Sequence, residues 1–170
     1  MGTSMKLSSI PSGTSVFIDA NIFLFEIFED ANFGDSSYDF IKKIESSEIK
    51  GYTSTLVLDE VLFKMILMEA SNKFNVSMKD VVRILKQEPE KLTALEKSWE
   101  NIREIQNMDN LTIFGVSPAI FKEAVEIALT CKLLPHDATH AAVAKEMNIR
   151  NIATNDDDFE RMDFIKVWKP

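Results

Sequence analysis

The chain has 170 residues, 45% hydrophobic and 27% charged, with 5 Gly and 5 Pro, which excludes a disordered, collagen-like or disulfide-stapled protein and suits one domain with a sizeable core. Its 19 Lys and Arg face 27 Asp and Glu, a net charge of -8, which argues against holding nucleic acid through a broad basic field. A single cysteine, Cys131, cannot form an internal disulfide, fits a reducing compartment and reads as a small core residue on a helix.

No secretory signal opens the sequence, because Lys6 is followed by Ser8, Ser9, Pro11 and Gly13 before any long apolar run. A cytoplasmic location is therefore expected. Residues 1–14 read as an N-terminal extension, with residues 1–4 ahead of a second methionine, Met5, set apart from the fold. Residues 15–170 read as one domain. Ser15 to Asp19 is a short β-rich run, and the apolar residues from Asn21 to Phe28 predict a helix after it. Tyr38, Phe40, Ile41, Ile44 and Ile49 mark a second helix with a polar face of Asp39, Lys42, Lys43 and Glu45. Gly51 to Thr53 predicts a strand, and Ser54 or Thr55 caps the next helix.

That helix spans Leu56 to Phe74. Its most apolar part, Leu56 to Met68, is interrupted by Asp59, Glu60 and Lys64 and is too short for a membrane span of about 20 residues, so a buried helix is expected. Helices follow over Met78 to Gln87 and Thr93 to Asn107, then a strand over Leu111 to Val116. Ser117 and Pro118 open a helix to Cys131, and Pro135 begins another ending near Met147. Ile149 to Thr154 and Ile165 to Trp168 supply the last strands. The alternation implies right-handed crossovers and about five mostly parallel strands covered on both faces, a three-layer α/β/α fold.

Most carboxylates fall on polar faces, where solubility explains them. Four do not. Asp19 closes the apolar strand Val16 to Ile18, and Asp156 follows the strand ending at Thr154, so both sit at carboxyl ends, where open α/β sheets place ligands. Glu60 lies in the apolar stretch of a helix, where an unpaired carboxylate would cost several kcal/mol. Asp137 opens the helix of Ala138, Thr139, His140, Ala141 and Ala142, where a helix dipole alone would favour it by about 0.3–1 kcal/mol. Four acids from the ends of four elements can converge on one pocket, and their repulsion then needs compensation. An oxygen set without matching Cys or His suits Mg²⁺ or Mn²⁺ rather than Zn²⁺. Such ions activate water for in-line attack on phosphorus, which is phosphodiester hydrolysis. Setting these four acids aside halves the net charge to -4, so the acidic balance does not exclude metal-mediated cutting of a particular RNA.

Phe17-Ile18-Asp19-Ala20-Asn21, Leu58-Asp59-Glu60-Val61, His136-Asp137-Ala138-Thr139-His140-Ala141-Ala142 and Thr154-Asn155-Asp156-Asp157-Asp158-Phe159 together resemble the PIN-domain nucleases, and among them the VapC-like toxins. The resemblance covers Val16 to Trp168. It implies that Asp19, Glu60, Asp137 and Asp156 form an acidic metal-binding quartet with Asp158 as an auxiliary acid. Asn21 and Thr154 match residues that support the quartet by hydrogen bonding, while Asp157 faces outward. It further implies Mg²⁺- or Mn²⁺-dependent endoribonuclease activity on RNA, a homodimer and, for a toxin, inhibition by an antitoxin; the short apolar stretches separately lead to the expectation of no membrane partner. A housekeeping RNA-processing nuclease and a non-catalytic binding module remain the alternatives. An aspartyl-phosphate phosphatase is a further rival, but it wants an acid where Asn21 stands. The helical segment over about 78–107 exceeds what a compact toxin needs and reads as extra core cover.

Other residues carry weaker expectations. His140 shares the helix face of Asp137 and reads as a packed histidine, His136 as a helix-start residue. Lys64, Arg150 and Arg161 are phosphate-contact candidates set against ordinary surface charges. Phe23, Phe25, Phe28 and Phe33 suit core packing better than base stacking. Trp99, on a charged helix of the extra segment, is a partner-contact candidate that a local core could equally absorb.

Overall fold

Short β-branched and aromatic runs set the strands of the computed structural model, which describes residues 5–170. Six strands are present among the described residues: β1 (Met5–Lys6), β2 (Ser15–Ile18), β3 (Lys50–Ser54), β4 (Leu111–Phe114), β5 (Asn151–Ala153) and β6 (Lys166–Lys169). They form one sheet in the order β1-β6-β5-β2-β3-β4, and every pairing is parallel. The helices are α1 (Ala20–Ile27), α2 (Gly34–Glu45), α3 (Thr55–Phe74), α4 (Met78–Gln87), α5 (Glu96–Gln106), α6 (Pro118–Cys131) and α7 (Pro135–Glu146). They cover the sheet as the three-layer α/β/α expectation requires.

The strand order matters for the site. From β2 the chain moves to β3 and β4 on one side, then crosses back to β5 and β6 on the other, where β6 also pairs with the earlier strand β1. Strands β2 and β5 are neighbours, with Phe17 opposite Ile152 and Ile18 opposite Ala153. Their carboxyl ends therefore border the crevice where the winding direction reverses, the usual ligand position of an open parallel sheet.

The sixth strand is β1, beyond the five expected. Met5 and Lys6 pair with Trp168 and Lys169, and a two-residue strand leaves no periodic pattern to read. Leu7 and Ile10 are buried in the main core. The expected extension thus belongs to the domain from Met5 onward, while residues 1–4 lie outside the described residues.

The main core joins Val16, Phe17 and Ile18 of β2 to Ile22 and Phe23, Ile44, Val57, Val61, Ala141 and Ile152, all at most 1% exposed. Its closeness is visible at Gly51, where an added Cβ would lie 2.8 Å from Ile44 Cγ2 and 3.2 Å from Leu111 Cδ1. Ser54 caps α3 by accepting from Val57 N at 3.3 Å, and Ser117 caps α6 by accepting from Ile120 N at 3.2 Å. Helix α2 stops at Glu45 instead of reaching Ile49; Ser47 adopts a φ of 63° and Ile49 is buried just before β3.

Helix α3 corrects the expectation of a buried helix. Val57, Leu58, Val61 and Met65 face the core, yet Phe63 and Met68 are 52% and 39% exposed. Apolar residues occur on all its faces, but only one side is covered. The segment expected as a helix over Thr93–Asn107 divides into a 3-10 turn at Pro89–Ala94 and α5, with Leu95 at φ -87°, ψ 63° between them. With α4 and the end of α3, these elements enclose a second small core of Ala70, Val81, Leu85 and Leu95, against which Phe74 and Trp99 pack. Trp99 Nε1 donates to the Leu92 carbonyl at 2.8 Å, so the indole is part of this lobe's interior. Phe23 is core, and Phe25 packs on Phe33 with ring centroids 4.9 Å apart, whereas Phe28 is 40% exposed. Cys131 is free and half-buried against the main core. Among the described residues no helix is long and apolar enough to cross a membrane.

Candidate active site

Asp19 ends the apolar strand β2 and caps α1. Its Oδ1 accepts from Ala20 N at 2.7 Å, and its Oδ2 accepts from Asn21 Nδ2 and from the Thr154 hydroxyl, both at 2.6 Å. Thr154, fully buried just past β5, also accepts from Asn21 Nδ2 at 2.9 Å and from Asp156 N at 3.0 Å. Asn21 Oδ1 accepts from Asn155 N at 3.2 Å. One polar network thus locks the turns after β2 and β5 together. Burial pushes the Asp19 carboxyl above its ordinary value, opposed by His140, the Thr154 hydroxyl and the Ala20 N–H.

The other acids arrive from separate elements. Glu60 stands in the second turn of α3, with Oε1 2.6 Å from Lys64 Nζ and Oε2 3.9 Å from His140 Nε2 and 4.0 Å from His136 Nδ1. His140, then Lys64, hold its carboxyl down to about 2 against partial burial. At 3.9 Å the histidine acts through its field and not through a formed hydrogen bond. Asp137 lies in the first turn of α7, behind Pro135. Burial and the charges of Asp156, Asp19 and Asp158 push its carboxyl up to about 6. Asp156 caps the 3-10 turn Asp157–Arg161, accepting from Asp158 N at 2.8 Å. Asp158 pairs with Arg161 at 2.6 Å, and the exposed Asp157 pairs with Lys169.

All five expected acids therefore lie around the carboxyl ends of β2 and β5, close enough to perturb one another. As the side chains stand, no three His, Cys, Asp or Glu groups among the described residues close around a common point tightly enough to grip an ion. Two of the five acids are held by ion pairs, Glu60 by Lys64 and Asp158 by Arg161. The donor set still fits a hard divalent cation, since its groups are carboxylate oxygens and Asp137, raised first by burial, is raised further by Asp156, Asp19 and Asp158, a repulsion that a cation would relieve. An apolar cleft of about 370 Å³, lined by Leu56, Asp59, Val116, Phe121, Pro135 and His136, flanks Glu60 and Asp137.

Three charge expectations resolve differently. Lys64 and Arg161 are neither free phosphate contacts nor idle surface charges, because each neutralises a site acid four or three residues away, a spacing visible in the sequence. Arg150 precedes β5 and so sits at the sheet edge opposite Asp156. His140 is packed at 1% exposure, as expected, yet its Nε2 faces Asp19 and Glu60.

A family model described as PIN domain matches residues 16–165. Ribonuclease VapC2 of Methanocaldococcus jannaschii is 29% identical over 153 residues, 89% of this chain and 91% of the relative. Ribonuclease VapC6 of the same organism is 26% identical over 162 residues, 93% and 99% of the two chains. Among solved structures, VapBC2 from Rickettsia felis bound to a promoter DNA fragment superposes with a TM-score of 0.62 at 15% identity, covering 92% of this chain and 98% of that one. Mycobacterium tuberculosis VapC20, a Sarcin-Ricin loop cleaving toxin, gives 0.60 at 16% identity, covering 90% and 98%. These two structures share the fold.

Proposed function

Because this chain belongs to the PIN-domain family, we propose that it is a divalent-metal-dependent endoribonuclease acting as the toxin of a toxin–antitoxin pair. The observation that carries this reading is the crowding of carboxylates at the reversal of the sheet, where Asp156, Asp19 and Asp158 add to burial in pushing Asp137 up to about 6. Asp19, Glu60, Asp137 and Asp156 would hold Mg²⁺ or Mn²⁺, with Asp158 beside them. Such an ion supplies an activated water and neutralises charge on the phosphodiester. The protein's own part is electrostatic and positional. Asn21 and Thr154 fix Asp19 Oδ2 and the turn that carries Asp156, while Ala20 N holds Oδ1. Lys64 and Arg161 neutralise Glu60 and Asp158 until the site is filled. Water is the nucleophile, so no side chain becomes covalently attached to the substrate.

Relatives named as VapC ribonucleases favour the toxin over a housekeeping nuclease, and the VapBC structure supports an antitoxin as inhibiting partner. The site of action is then the cytoplasm, where RNA and antitoxin meet. The test is cleavage of a mixed RNA pool with Mg²⁺ or Mn²⁺ against EDTA, with fragment ends sequenced. Cleavage should require the ion, and the ion at about 100 times its Kd should stabilise the fold by about 2.7 kcal/mol, raising Tm by roughly 5–10 °C. Cleavage that persists in EDTA, or no thermal shift at millimolar metal, would sink the mechanism.

We also assign a homodimer, supported by Phe121, Val125 and Leu129 on one stripe of α6, exposed at 55%, 45% and 74%. Light scattering should give twice the 19.3 kDa chain mass, and Leu129→Glu should halve it. A monomeric wild type at micromolar concentration would remove this assignment.

A further inference from the structure

We propose that His140 is a positioning residue, holding the Asp19 and Glu60 carboxylates at a fixed separation through a single N–H directed between them. The proposal rests on the metal-dependent reading above. His140 is rooted in α7 at 1% exposure, and its ring lies 5.9 Å from that of Phe17, centroid to centroid. Its Nε2 is 4.0 Å from Asp19 Oδ1 and 3.9 Å from Glu60 Oε2, acids that belong to two different elements. Its Nδ1 is buried without a hydrogen-bond partner.

The surroundings of the ring assign a proton to Nε2. A proton on Nε2 points the N–H at two carboxylate oxygens and leaves only a lone pair unsatisfied in the core. The opposite tautomer would set a lone pair against both carboxylates and bury an orphaned N–H, the costlier omission. The imidazole is thus a donor aimed by packing, and an approach of about 1 Å by either carboxylate completes a hydrogen bond.

Glu60 is then shared between two donors of opposite effect. Lys64, half-exposed on the same helix, draws Oε1 outward, while His140 draws Oε2 toward Asp19. The histidine supports the acids without itself ligating, as residues behind a metal site do.

The experiment measures Mn²⁺ affinity of the full chain by electron paramagnetic resonance, alongside Tm and the separate kcat and KM for RNA. Gln carries an amide N–H to about the reach of Nε2, whereas Asn ends near Nδ1 and Leu offers no donor. His140→Leu and His140→Asn should weaken Mn²⁺ binding by roughly 10–100-fold, and His140→Gln should stay within a few fold of wild type. Lys64→Ala, an exposed change, should tighten binding a few fold in the wild type and have no such effect beside His140→Leu. Equal Mn²⁺ affinity in wild type and His140→Leu would overturn the positioning role while leaving the nuclease reading intact. So would equal losses in His140→Gln and His140→Leu that follow Tm, or the same gain from Lys64→Ala in both backgrounds. No Mn²⁺ binding by the wild type would overturn the metal reading itself, and this proposal with it.

Discussion

Asp137→Asn is expected to lower RNA cleavage by at least roughly 10²–10³-fold while raising the melting temperature of the metal-free protein at pH 7. The two effects share one cause. Burial and the neighbouring charges of Asp156, Asp19 and Asp158 push the Asp137 carboxyl up to about 6 from 3.8. Between these pH values the folded protein binds more protons than the unfolded chain, so stability falls as pH rises through the window and stays low above it. An amide cannot ionise and carries no such loss. With half of the group exposed to solvent screening, the gain should be about 1 kcal/mol, or 2–4 °C in Tm. Below pH 4 the difference should vanish, and adding Mn²⁺ should reverse the order by stabilising the wild type more. Thermal melts at pH 4 and 7 with and without Mn²⁺, beside a cleavage assay, decide it. Identical melts at pH 7, or retained cleavage, would refute the assigned role.

Thr154→Val should be the most damaging conservative change near the site. The shape is nearly preserved, but one buried hydroxyl donates to Asp19 Oδ2 and accepts from Asn21 Nδ2 and from Asp156 N. Its loss removes a hydrogen bond to a buried carboxylate and orphans two donors, a cost of about 3 kcal/mol. Tm should fall by roughly 6–12 °C. Cleavage should fall by roughly 10–100-fold, because Asp19 and the turn bearing Asp156 lose their common anchor. Thr154→Ser keeps the hydroxyl and should recover most of both. Equal behaviour of the Val and Ser variants would show that the network is dispensable.

Fold and site were legible in the sequence to different depths. Strands β2 to β6 announce themselves through Val16 to Ile18, Leu111 to Phe114 and similar runs, and helix starts through Ser54, Ser117 and Pro135. Asp19 and Asp156 stand out because an acid directly after an apolar strand has no reason to be there for solubility. What stayed hidden depends on contacts between distant segments. Met5 and Lys6 pair with the far end of the chain and form too short a strand to show a period. Apolar residues around α3 give no hint which face would be left uncovered. Thr154 is singled out in the sequence by the family resemblance alone, and its three bonds to Asp19, Asn21 and Asp156 emerge only with β2 and β5 side by side. Lys64 and Arg161 carry visible helix-spacing pairings, but the same spacing occurs on any solvated helix.

Helix α3 belongs to two cores at once, the sheet core through Val61 and Met65 and the small lobe core through Ala70. The segment between Asn75 and Leu95 contributes buried residues only to the second of these. Lengthening or shortening it changes loop-closure entropy slowly and disturbs only Val81, Leu85 and Leu95 with their neighbours, leaving the turns after β2 and β5 untouched. A change of length or surface here therefore leaves the acids where the sheet holds them.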